Sequence, residues 1–154
     1  MKKVLLASFV ALALLSAGCL KDNTCNSKSI ASEDAAMQSF ASANSITATR
    51  HSTGMYYQIV TQGSGPAPTS TSLLSVKYTG KLTNGTVFDQ QTGAPVSLRL
   101  DQVIPGWKVG LPLIQKGGVI KLIIPSSMGY GCATVGPIPP NSILYFEIEL
   151  VDVQ

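Results

Sequence analysis

The stretch VIPGWKVGLPLI, Val103 to Ile114, holds Trp107, the single tryptophan of a 154-residue chain, among Pro105, Gly106, Gly110 and Pro112. Trp107, Gly110, Leu111 and Ile114 fall at i, i+3, i+4 and i+7, which places them in one stripe on a short helix. Pro112 lacks an N–H and disfavours helical geometry at Leu111, so the helix is expected to be brief and irregular. Gly106 and Gly110 carry no Cβ and are expected to let the helix start close to neighbouring backbone. An indole so placed needs a broad apolar surface to lie against.

The flanking sequence supplies one as strands. Met55 to Thr61 and Leu73 to Thr79 are β-rich, and Leu74, Val76 and Tyr78 alternate with polar residues in the period of a half-buried strand. Asn84-Gly85 between two such runs predicts a hairpin with a type I′ turn. Val96, Leu98 and Leu100 alternate again, Val119 to Ile124 is a continuous apolar run, and Ile143 to Val153 places Leu144, Phe146, Ile148 and Leu150 opposite Glu147 and Glu149. The fold class expected is α+β: an antiparallel sheet with one apolar face, covered by the Trp107 helix.

Composition narrows the function. Charged residues are 12% of the chain and the net charge is +3, with no clustered Lys or Arg beyond the N-terminus. Phosphate binding needs clustered cations, so no nucleic acid partner is expected. His51, the sole histidine, has no acid, nucleophile or metal partner beside it in sequence, and no metal or cofactor is expected.

Residues 1–18 read as a secretory signal, with Lys2 and Lys3 before the apolar run Val4 to Leu15 and the small residues Ser16-Ala17-Gly18 before Cys19. A cysteine at that place resembles a bacterial lipobox, with Ser16 where leucine is more usual, and predicts acylation of Cys19 and a lipid anchor. Residues 19–53, rich in Ser, Ala, Asn and Thr, read as a tether. Within it Ser32-Glu33-Asp34 is expected to cap a short helix whose Met37, Phe40 and Ala41 face one way, toward either the folded body or a second copy. Residues 54–154 form the folded domain. Cys25 and Cys132 have the option of pairing in an oxidising compartment; unpaired thiols are the simpler expectation, with one in a tether and the other in a loop.

Four blocks, VKYTGKLTNGTVFD, VIPGWKVGL, KLIIPSSMGYG and GPIPPNSILYFEIEL, occur in an order and spacing that closely resemble the FKBP-type peptidyl-prolyl cis-trans isomerases, over roughly Gly54 to Gln154. The signal and tether resemble the lipoprotein members of that family in bacteria. The resemblance implies a twisted half-barrel wrapped around the short helix, with a proline pocket between them. It implies Tyr78, Phe88, Asp89 and Tyr130 as catalytic residues and Val103, Ile104, Trp107, Ile138 and Phe146 as substrate-binding residues. It also implies proline-containing polypeptides as substrates, macrolide-type inhibitors as ligands, and an assisting role in folding exported proteins. Val96 stands where the family often has an aromatic ring, which predicts a thinner wall there.

The chemistry needs no nucleophile. An amide resists rotation by ~18–20 kcal/mol because twisting removes its resonance. The twisted amide is less polar than the planar one, so a dry aromatic pocket favours it over water. Two other classes compete with an isomerase: a chaperone module that binds proline-containing segments without turnover, and a spacer for which the pocket is irrelevant.

Overall fold

The computed structural model describes residues 25–154. The signal sequence and Cys19 lie outside the described residues. Helix α1 (Ile30–Ala43) leads into β1 (Thr49–Arg50), β2 (Tyr56–Thr61), β3 (Leu73–Leu82) and β4 (Val87–Arg99). Helix α2 (Pro105–Gly110), β5 (Gly118–Ile124) and β6 (Leu144–Val153) complete the chain. All neighbouring strands are antiparallel, and the six form one open sheet in the order β1-β2-β5-β6-β3-β4.

The alternation read from the sequence sets the main core. Leu144, Phe146, Ile148 and Leu150 of β6 are buried with Leu74 and Val76 of β3 and Ile120, Leu122 and Ile124 of β5. Helix α2 lies on this face with Trp107, Leu111 and Ile114 in the same cluster. It is six residues long and passes into a 3₁₀ turn at Leu111–Leu113, as Pro112 requires. The close approach is to side chains: a Cβ on Gly106 would stand 2.6 Å from Ile124, and one on Gly110 would stand 2.6 Å from Leu122.

The opposite face is also apolar at one end, which the single-face reading of the sheet missed. Ile123 and Tyr145 alternate out of the main core and, with Tyr56, receive Met37 and Ala41 of α1 and Ile46 beyond it. The stripe with two possible destinations thus lies on the body of the molecule. Met37 is 0% exposed, a burial worth roughly 1.5–3 kcal/mol. The helix is capped one turn earlier than Ser32-Glu33-Asp34 suggests: Ser29 Oγ accepts the Ser32 N–H, and Glu33 is buried inside the first turn. Arg50 and the Tyr56 hydroxyl both donate to Asp34, tying α1 to β1 and β2.

The β3–β4 hairpin differs from the expected type I′ turn. Gly85 has φ +89, whereas Asn84 is not among the residues with positive φ. The Leu82 carbonyl accepts from Gly85 and the Leu82 N–H donates to Thr86, which makes a three-residue loop closed by a left-handed glycine. Asn84 serves through its side chain instead, accepting the Thr86 N–H. Cys25 and Cys132, expected as unpaired thiols, form a disulfide. Among the described residues no helix is long and apolar enough to cross a membrane.

Candidate functional site

Between α2 and the concave face of the sheet lies a cavity of about 290 Å³, lined by residues of β3, β4, β6, α2 and two loops. Its floor is Trp107, 4% exposed. Tyr78 and Phe146 stand nearly perpendicular to the indole, at 82° and 86° with centroids 5.2 Å away in each case, and Phe88 meets Phe146 at 85° and 5.4 Å. These edge-to-face contacts each add about 0.5–1.5 kcal/mol beyond area burial and hold the rings upright as walls.

A β-bulge aims the next two residues. Asp89 pairs with Gly80 but Val87 with Lys81, so Phe88 is an extra residue in β4 and the strand's alternation breaks there. Phe88 and Asp89, adjacent in sequence, consequently both line the cavity. The Tyr78 hydroxyl donates to Asp89 Oδ2 at 2.7 Å. Burial, then the bond and charge of Asp89, push the Tyr78 phenol up to about 12. Tyr130 is 37% exposed at the rim, and its phenol is raised by burial first and by the Asp89 charge second. Both phenols therefore remain donors throughout the physiological range.

Val103 and Ile104 reach the cavity because a 3₁₀ turn at Leu100–Gln102 delivers them to the start of α2. The Ile104 carbonyl accepts from Trp107 and Lys108, while its N–H has no acceptor among the described residues. The Trp107 Nε1–H is buried without a partner among them. Of the expected site residues, Tyr78, Phe88, Asp89, Val103, Ile104, Trp107, Tyr130 and Phe146 come together here. Ile138 does not: it is buried in the main core below the rim, where it exchanges backbone bonds with Val135.

Residues 65–151 match the family model of the FKBP-type peptidyl-prolyl cis-trans isomerases. The chain belongs to that family. It is 51% identical over 105 residues to the FKBP-type peptidyl-prolyl cis-trans isomerase FkpA of Escherichia coli (strain K12), an alignment covering 67% of this chain and 39% of the relative. The crystal structure of FkpA from Escherichia coli superposes with a TM-score of 0.72 at 43% identity, over 81% of this chain and 61% of that one. A peptidyl-prolyl cis-trans isomerase from Pseudomonas syringae pv. tomato superposes with a TM-score of 0.69 at 32% identity, over 84% and 98%. The chain thus spans about two-fifths of the length of the curated FkpA relative.

Two lining residues of this FKBP-type cavity escaped the sequence reading, and so did a glycine behind it. Leu98 forms the wall that Val96 was expected to thin, while Val96 is 38% exposed and outside the cavity. The alternation Val96-Leu98-Leu100 contained that signal without saying which member reached the site. Gln102 lines the cavity from the 3₁₀ turn, and nothing in its local sequence marks it. Gly80 lies behind the wall: a Cβ there would meet Phe88 at 2.6 Å and Phe146 at 2.8 Å. A glycine inside a strand pattern signals such an approach.

Proposed function

We propose that the chain catalyses cis–trans isomerisation of X-Pro bonds in polypeptides exported to the bacterial envelope. The observation that carries this reading is an apolar, ring-walled cavity with few polar groups, among them Asp89 held by the Tyr78 hydroxyl and Tyr130 at the rim. At about 290 Å³ the cavity accommodates a proline ring and its flanking amides; drug-sized ligands need the upper part of the usual range of roughly 300–1,000 Å³. A macrolide-type inhibitor would insert one ring-sized portion and compete with the peptide.

In this mechanism Trp107, Phe146, Phe88, Val103, Ile104 and Leu98 enclose the proline and exclude water from the amide. Twisting makes the amide less polar, and in a site already free of water it forfeits no hydration as it would in solvent, which lowers the barrier of ~18–20 kcal/mol. The free Ile104 N–H and the Tyr130 hydroxyl donate to substrate carbonyls and hold the twisted backbone. Asp89, fixed by Tyr78, sets the field at the imide carbonyl without forming a covalent bond.

The envelope assignment draws support from the N-terminal signal pattern and from the Cys25–Cys132 disulfide, which suits an oxidising compartment. Acylation of Cys19 would hold the domain at the membrane, close to proteins whose X-Pro bonds limit their folding. The test is the cis-to-trans rate of a short X-Pro peptide with wild type, Asp89→Ala and Trp107→Ala. Acceleration that falls in both variants upholds the reading. A folded wild-type chain that binds the peptide without accelerating it leaves the binding module in its place.

A further inference from the structure

The loop carrying Tyr130 is the least regular part of the site. Between Ile124 and Leu144 it contains a 3₁₀ turn at Ser126–Met128 and one isolated bridge, Val135 with Ile138, but no strand or α-helix. Its position is set from outside, by the segment that precedes and opens α1. Cys25 is joined to Cys132, 107 residues away in sequence and two residues after Tyr130. The Asn141 side chain accepts the Lys28 N–H at 3.1 Å and donates to the Asn26 carbonyl at 3.0 Å, while its backbone N–H donates to the Gly131 carbonyl at 2.8 Å. Glu33 Oε2 accepts both the Ser126 N–H at 2.8 Å and the Ser126 hydroxyl at 3.0 Å. The Ser126 carbonyl in turn accepts the N–H groups of Gly129 and Gly131.

Tyr130 thus sits between two anchors, Ser126 before it and Cys132 after it, and both lead to residues 25–33. Its own hydroxyl has no partner among the described residues, so its place over the cavity comes entirely from the backbone that carries it. Glu33 is 3% exposed, an unusual burial for a carboxylate in the first turn of a helix. A helix docking only through Met37 and Ala41 has no need of it, whereas the two hydrogen bonds from Ser126 to Oε2 give it a place at the rim, with Oε1 buried and without a partner among the described residues.

We propose that Glu33 and the Cys25–Cys132 disulfide are positioning residues of the site, holding the rim so that the Tyr130 hydroxyl stands where it meets substrate. This rests on the reading of the cavity as an X-Pro site. It assigns residues 25–33 a part in turnover that neither the tether pattern nor the four sequence blocks contain.

A double-mutant cycle tests it, using the oxidised full chain, the Cys25→Ala/Cys132→Ala variant, Tyr130→Phe and the combination, with kcat/KM on an X-Pro peptide as the readout. Losing one hydrogen bond to the substrate costs about threefold to tenfold, and removing the disulfide is expected to cost a comparable factor. The combination is expected to lose no more than Tyr130→Phe alone, because the strap acts through that hydroxyl. Multiplying losses, or full activity without the disulfide, would overturn the proposal, since a strap that only stabilises the fold gives one of those patterns. Glu33→Leu keeps a side chain of similar volume and removes the acceptor of both Ser126 bonds, so it serves as the second probe should the cysteine variant not fold. It is expected to cost about twofold to threefold, with no further loss in Tyr130→Phe. If wild type accelerates nothing, the isomerase reading fails separately, and the same cycle is read on peptide affinity through Trp107 fluorescence. Equal, non-multiplying losses there still uphold the strap, and multiplying or absent losses overturn it.

Discussion

Gly80→Ala separates a shaped cavity from a mere gap in the packing. Its Cβ would stand 2.6 Å and 2.7 Å from Phe88 Cε2 and Cζ, and 2.8 Å from Phe146 Cε1, where ordinary contact begins at 3.4 Å. The Phe88 edge must therefore retreat by about 0.8 Å and the Phe146 edge by about 0.6 Å, and overpacking of this kind costs roughly 1–3 kcal/mol. The rings stand between Gly80 and the cavity, so their free direction is into it. Peptide affinity, followed by Trp107 fluorescence, is expected to fall about fivefold to tenfold, alongside a lower urea midpoint. Gly93→Ala on β4 is the control: a Cβ there meets nothing within 4 Å, and the variant should match wild type within about 0.5 kcal/mol. A Gly80→Ala chain that binds and unfolds like wild type would refute the placement of both rings.

Asp89→Asn removes a charge that helps push the Tyr78 phenol up to about 12, so the phenolate absorbance titration should shift toward 10; superimposable curves would contradict the pairing. The raised value means the folded state keeps a proton that the unfolded state gives up between pH 10 and about 12. Wild-type stability should accordingly decline with rising pH across that window, and more steeply than that of Asp89→Asn. Met37→Ala should cost about 2–5 kcal/mol in urea unfolding, and an unchanged midpoint would mean that α1 is not part of the cooperative unit. Cys19 should take up a palmitate analogue in a bacterial host, with no label on Cys19→Ala; label surviving that substitution would rule out acylation at this cysteine.

Much of the site was legible because α2 and β6 obey simple periods. Trp107, Leu111 and Ile114 point one way at helical spacing, and Leu144, Phe146 and Ile148 do so at strand spacing, so the packing of α2 against the sheet followed from counting, while the family resemblance supplied which of these residues line the cavity. The destination of the Met37 stripe was not legible, because Ile123, at the centre of the receiving surface, lies in a run with no clean alternation. Counting by twos fails in Leu122-Ile123-Ile124, where every residue is buried, on one face or the other. Periodicity cannot assign such a run to two separate covers. Pairing of Cys25 with Cys132 was beyond reach for a different reason: it depends on where α1 docks, which brings their Cα atoms to 5.4 Å. The bulge at Phe88 likewise depends on a register shift, although it decides that Asp89 faces the cavity. Glu33, read as a cap residue, shows how one side chain fits a local pattern while its bonds are made 93 residues away.

The most direct measurement of the central claim is an NMR experiment on a short X-Pro peptide mixed with the oxidised chain, recording exchange between the cis and trans proline signals together with intermolecular contacts of the proline ring. The account predicts exchange cross-peaks that are absent without protein, and contacts from the proline ring protons to the Trp107 indole and the Phe146 ring. Exchange with contacts placed elsewhere, or proline contacts to Trp107 without exchange, would contradict it.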